Sequence, residues 1–140
     1  MKTWVLYAIA SMLFAGVTSV IAKFGMKNVS GDAGLAVRTT MVFGLVWLNA
    51  LVFRHAPQLG NLTRSDIAFL CLSGLTTTLS WIFYYRAIKL GEVSVVASID
   101  KASVVITIIL SLFLLKEPLT PKLIIGASLI VLGTIVLIWK

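Results

Sequence analysis

Five apolar runs, each close to the length of a bilayer-spanning helix and parted only by short polar links, constrain this chain more than any other feature. A hydrocarbon core of about 30 Å needs about 20 consecutive apolar residues in a helix. The runs cover about 3–22, 35–53, 67–90, 93–115 and 123–139. Each must be helical, because lipid offers no partner for the backbone groups of an open sheet edge. A transmembrane β-barrel would show short alternating segments instead. The expected class is all-α, an integral membrane bundle of five transmembrane helices that takes up residues 1–140 as a single domain. Only 12% of the residues are charged and 59% are hydrophobic. A soluble domain carries about 25% charged residues, so what lies between the runs is too little for a water-soluble domain. The expected location is a membrane, crossed several times, with the lipid bilayer as the first partner.

The links carry strong turn chemistry. Asn28 to Gly34 is rich in Gly, Asn, Ser and Asp and reads as a loop. Arg54 to Asp66 holds Pro57, Gly60 and Asn61, with Ser65 or Asp66 available to cap the third helix. Lys89 to Glu92 is a tight link, and in Lys116 to Pro121 Thr120 stands as N-cap before Pro121 at the first helical position. Met1-Lys2 and the apolar stretch after them are read as a first helix, not a signal peptide, because the run is long and four more follow.

The formal net charge of +7 raises the question of nucleic acid. Here the Lys and Arg residues stand between apolar runs, without the clustering and interleaved aromatics of a nucleic-acid surface, which is the membrane pattern; no nucleic-acid partner is expected. The lone Cys71 lies inside an apolar run and His55 in a polar loop, with no Cys/His cluster, so neither metal nor cofactor is expected. Hydrolase, metalloprotease and phosphate-loop motifs are missing, as are suitably spaced carboxylate pairs, so the chain does not read as an enzyme.

Ionisable groups at bilayer depth are expensive and are functional candidates for that reason. Arg38 and Arg86 lie near helix ends, where snorkelling to the headgroups is the simpler account. Asp100 and Lys101 stand about two turns into the fourth run, and neighbours on a helix are about 100° apart and pair poorly. Ser103, Thr107 and Ser111 continue the Asp100 face as a polar stripe, and the first helix has a similar one through Tyr7, Ser11 and Thr18. The third presents Thr78, Trp81 and Tyr85 together. Such stripes serve either close helix packing with interhelical hydrogen bonds or a polar cavity; the acid, the base and the aromatics favour the cavity. The candidate solute-binding set is Asp100, Lys101, Trp81, Tyr85, Tyr7, Ser11, Ser103 and Thr107. Gly126 and Gly133, seven residues apart on one face, are candidates for a helix contact within the chain or with a second copy.

Two stretches resemble a known family. Phe83-Tyr84-Tyr85-Arg86-Ala87-Ile88-Lys89-Leu90-Gly91 with Val93-Ser94-Val95-Val96-Ala97, and Leu112-Phe113-Leu114-Leu115-Lys116-Glu117-Pro118-Leu119-Thr120 with Gly126 to Gly133, are similar to the EamA-type domain of the drug/metabolite transporter superfamily. The likeness is good over 67–140 and weaker before that. It implies a transporter built on two inverted five-helix repeats, of which this chain resembles one. The related small multidrug resistance proteins carry an acid in their first helix; none stands there in this chain, which speaks against proton-coupled export of cationic drugs.

The leading expectation is a transporter that moves a small polar or amphipathic metabolite or drug across the inner (plasma) membrane of a bacterial or archaeal cell by alternating access. The alternative is an accessory membrane subunit, or a component of a flippase for a lipid-linked substrate. A homodimer is expected, with antiparallel copies. Five crossings put the termini on opposite sides, and the loop cations nearly balance: Lys2, Arg54, Arg64, Lys116 and Lys122 on one, Lys23, Lys27, Arg86, Lys89 and Lys140 on the other, with Arg38 near that second boundary. The positive-inside rule then selects no orientation, and two opposed copies would reproduce an inverted repeat.

Overall fold

A computed structural model describes residues 2–139. It contains helices and no strand among those residues, and five helical segments are long and apolar enough to cross a membrane. They are α1 (Thr3–Gly25), α2 (Gly31–Val52), α3 (Arg64–Leu90), the segment Val93–Leu115, and a last helix Pro121–Ile138. The fourth segment is composite. It consists of α4 (Val93–Lys101), α5 (Ser103–Leu110) and one π-helical turn, Ser111–Leu115, so the last helix is α6. The expected all-α membrane architecture is the one observed.

The helix ends follow local hydrogen-bond chemistry. Ser30, extended at φ −67° and ψ 158°, accepts the Ala33 N–H, so α2 starts at Gly31 instead of residue 35. The Gly31-Asp32-Ala33-Gly34 stretch, which reads as loop, is therefore the first turn of a capped helix. At α3 the cap is Thr63, not Ser65 or Asp66. Its Oγ1 accepts the Asp66 N–H, while the Asp66 carboxylate takes the Thr63 N–H at 2.9 Å and the hydroxyl at 2.7 Å, a reciprocal capping box. Thr120 caps α6 through the Leu123 N–H, with Pro121 first in the helix as expected. The fourth segment closes on Lys116 in the left-handed region, φ 55°, where the Glu117 N–H returns to the Ser111 carbonyl.

The run 93–115 reads as one continuous helix; the structure interrupts it at Ala102. There the N–H bonds Ile99 O at 3.0 Å, three residues back, and Val105 N–H bonds Ala102 O at 3.1 Å in the same tightened way. Ser98 O thereby loses the donor an α-helix would give it. The buried Thr134 hydroxyl of α6 lies 3.2 Å from Ser98 O and 2.8 Å from Ile130 O in its own helix, so its one proton is shared between the two carbonyls. A carbonyl freed within an apolar segment needs such a partner, since leaving it unmade costs about 1–3 kcal/mol.

The described residues form two compact units. One comprises Val20–Lys89: the end of α1, α2 and α3. The other holds the residues up to Ser19 together with those from Leu90 onward. In the second unit, α4 and α5 pack on α6. In the Val20–Lys89 unit, Met26, Leu35, Tyr85 and Ile88 are the buried apolar side chains, gathered where α2 begins and α3 ends. Gly31 makes that gathering possible, because a Cβ there would stand 2.8 Å from the Tyr85 carbonyl oxygen.

The same end is tied by cations. Arg86 forms a two-pronged bridge to Asp32, Nε to Oδ1 at 2.9 Å and Nη2 to Oδ2 at 3.0 Å, joining the end of α3 to the start of α2. Lys23, in the last turn of α1, donates to the carbonyls of Ile88 (2.5 Å) and Lys89 (3.2 Å) at the end of α3. Lys89, in the last turn of α3, donates to Met26 O (2.5 Å) and Lys27 O (3.1 Å) just past α1. Each lysine thus caps the other's helix, placing a cation among carbonyls that lack helical donors and at the negative end of a helix dipole. We expect Lys23→Met and Lys89→Met each to lower unfolding stability by about 2 kcal/mol, the scale of a hydrogen bond to a charged group. Denaturation in detergent against Lys27→Met as reference checks this; equal midpoints for all three variants would show that the caps contribute nothing.

Candidate functional site

The expected solute-binding residues divide between the two units. Asp100 and Lys101 close α4, directly before the interruption at Ala102. They approach more nearly than their helical offset suggests: Lys101 Nζ lies 3.7 Å from Asp100 Oδ2. This is an ion contact longer than a charge-assisted hydrogen bond of about 2.8 Å. Both side chains retain exposure, 39% for Asp100 and 65% for Lys101, so acceptor capacity remains on the carboxylate and donor capacity on the ammonium. Ser103 opens α5, and its carbonyl accepts the Thr107 hydroxyl at 3.3 Å. Tyr7 and Ser11 lie one turn apart on α1 and are exposed.

The hydroxyls along the apolar helices, in and beside these stripes, turn largely toward their own helices. Thr18 bonds Phe14 O, Thr77 bonds Ser73 O, Thr78 bonds Gly74 O and Ser98 bonds Ser94 O, each one turn back. This local bonding satisfies a hydroxyl in lipid without a neighbouring helix. Thr134, which no stripe singled out, does both: it bonds Ile130 O one turn back at 2.8 Å and reaches across to Ser98 O of α4 at 3.2 Å. A Cβ built on Gly126 or Gly133 meets nothing within 4 Å among the described residues, so both positions present open space.

In the Val20–Lys89 unit, Trp81 and Tyr85 stand one turn apart on α3, and a third residue joins them. The guanidinium carbon of Arg38 lies 4.3 Å from the centre of the Trp81 ring and 5.7 Å from that of Tyr85. Tyr85 is 3% exposed, with Tyr84 edge-on against it at 6.3 Å. Arg38 Nη1 and the Tyr85 hydroxyl are both buried without a hydrogen-bond partner. The snorkelling expected of Arg38 is therefore not what the structure contains. With α2 beginning at Gly31, Arg38 is two turns inside the helix, and its cation rests on an indole face, a favourable seat out of water. The sequence signal was available in Ser30: a cap at that position moves the helix start outward and Arg38 inward. Arg86 departs from the headgroup reading as well, being committed to Asp32.

Sequence comparison accounts for nearly the whole chain. The pattern of the EamA-like transporter family matches residues 2–139. The chain belongs to that family. It is 31% identical over 136 residues to a curated protein of Sinorhizobium sp named "Uncharacterized transporter in cobO 3'region", and the alignment covers 97% of this chain and 96% of the relative. No solved structure matches. The EamA resemblance, weaker before residue 67 on the residues alone, thus extends across both units, and the protein is a multi-pass membrane member of a transporter family.

Proposed function

We propose that this EamA-family protein moves a small polar or amphipathic metabolite or drug across the inner membrane by alternating access, as a homodimer of opposed copies. The observation that carries the reading is the acid–base pair at the end of α4. An acid and a base sit inside an apolar segment, loosely paired at 3.7 Å, beside a helix interruption at Ala102. Interrupted transmembrane helices expose backbone and side-chain groups to a solute where a continuous helix would bond them internally. Asp100 offers a site for an ammonium or a coupling cation, and Lys101 one for a carboxylate or phosphate. Ser103 and Thr107 continue that face onto α5, and Tyr7 and Ser11 supply a polar strip on α1. Within the Val20–Lys89 unit, Trp81 and Tyr85 offer aromatic walls to a solute. The open face at Gly126 and Gly133 suits close approach of a second copy.

Two measurements test this. Uptake by proteoliposomes of a labelled panel of amino acids, organic acids and quaternary amines is expected to show one saturable solute class. No uptake, with a second chain co-purifying, would favour the accessory-subunit reading. C-terminal reporter fusions are expected to be active on both faces of the membrane, since the loop cations nearly balance. Activity on one face alone would overturn the opposed arrangement.

A further inference from the structure

We infer that Arg38, seated over Trp81 and flanked by Tyr85, is a receptor for an oxyanion, so that the transported solute bears a carboxylate or phosphate group. The inference rests on the transport reading and adds a substrate class to it. A cation–π contact takes up none of a guanidinium's five N–H donors, which still need acceptors. At Arg38 that need is unmet: Nη1 is buried and has no acceptor. The Tyr85 hydroxyl, on the same aromatic wall, is likewise buried and unpartnered. Two unsatisfied groups able to donate, one of them cationic, call for an acceptor with negative charge.

The surrounding unit does not supply one. Its acids are Asp32 and Asp66. Asp32 is held by both prongs of Arg86, and Asp66 is closed into the capping box with Thr63. A buried polar group without its partner is costly and rare in folded proteins. A guanidinium kept so, where a neutral side chain would fill the same space, is explained by a ligand that arrives and leaves. Planar, two-pronged recognition of carboxylate or phosphate is what a guanidinium does best.

The test uses the full chain in phosphatidylcholine nanodiscs and isothermal titration with benzoate, phenyl phosphate, benzyl alcohol and benzyltrimethylammonium. Benzoate or phenyl phosphate is expected to bind saturably, and the alcohol and the ammonium are not. Arg38→Gln is expected to weaken anion binding at least about tenfold, the loss of charge-assisted bonds. Arg38→Lys keeps the charge but not the fork and is expected to weaken it as well, and Tyr85→Phe about fivefold. Should Arg38→Gln fail to fold, Arg38→Lys and Tyr85→Phe decide the matter. Anion binding unchanged in the folded variants, or benzyl alcohol binding as tightly as benzoate, would overturn the inference. Repeating the titration in nanodiscs that contain phosphatidylglycerol separates a solute from a lipid headgroup. Abolition of benzoate binding there would make the lipid phosphate the occupant and overturn the substrate class. Titration reads binding without transport: a chain that binds benzoate but carries nothing sinks the transport reading alone, and one that transports without binding any anion sinks only this one.

Discussion

Replacing Asp100 with Asn, or Lys101 with Met, is expected to yield a folded protein whose transport in proteoliposomes is slower by about 100-fold, the weight of one charge-assisted contact to the solute of about 3 kcal/mol. The pair contributes little to the fold itself. Its oxygen-to-nitrogen separation of 3.7 Å is loose, and both side chains keep exposure, so either can lose its charge without stranding the other in a closed interior. The segment is supported from elsewhere: α4 and α5 pack on α6, and the Thr134 hydroxyl, shared with Ile130 O, approaches Ser98 O two residues before Asp100. Size-exclusion profiles should therefore match the parent while uptake does not. Variants that fold and transport at the parent rate would refute the role proposed for the pair. Variants that both unfold would make it a structural ion pair instead.

The second large effect concerns Gly31. Gly31→Ala is expected to destabilise the chain by about 1–3 kcal/mol, the range for overpacking a site that cannot relax. The new Cβ would lie 2.8 Å from the Tyr85 carbonyl oxygen, 2.9 Å from its carbon and 3.1 Å from the Arg86 nitrogen. All three are backbone atoms of α3, so no side chain can rotate away. Relief requires the start of α2 to move off α3, which pulls Asp32 from Arg86 and opens the packing around Tyr85. Gly34→Ala provides the contrast. There the Cβ would meet the Met26 side chain, Cγ at 2.5 Å and Sδ at 3.0 Å, and a flexible methionine can swing aside at smaller cost. At Gly44 nothing lies within 4 Å, and Gly44→Ala should be neutral or stabilising by up to about 1 kcal/mol through helix propensity. Equal unfolding midpoints for the variants at 31 and 44 would show that α2 approaches α3 less tightly than these distances imply.

Bulk physics and local chemistry set the part of this protein that is legible in its residues alone. Hydrocarbon excludes unpaired backbone groups, so five long apolar runs could only become helices, and no arrangement in space was needed to see it. Thr120 before Pro121 announces the start of α6 because capping is completed within four residues. The caps at Ser30 and Thr63 are equally local; the glycines after Ser30 and the charge of Arg64 conceal them. What distant residues do to one another is written only in three dimensions. Lys23 and Lys89 are 66 positions apart, and nothing in either neighbourhood states that each will donate to the end of the other's helix. Arg38 reads as a snorkelling cation until α3 brings an indole ring 4.3 Å from it. The interruption at Ala102 lies in a run whose residues all permit a continuous helix, and only the fold brings Thr134, 36 positions away from Ser98, to share its hydroxyl proton between Ile130 O and the carbonyl that the tightened backbone leaves.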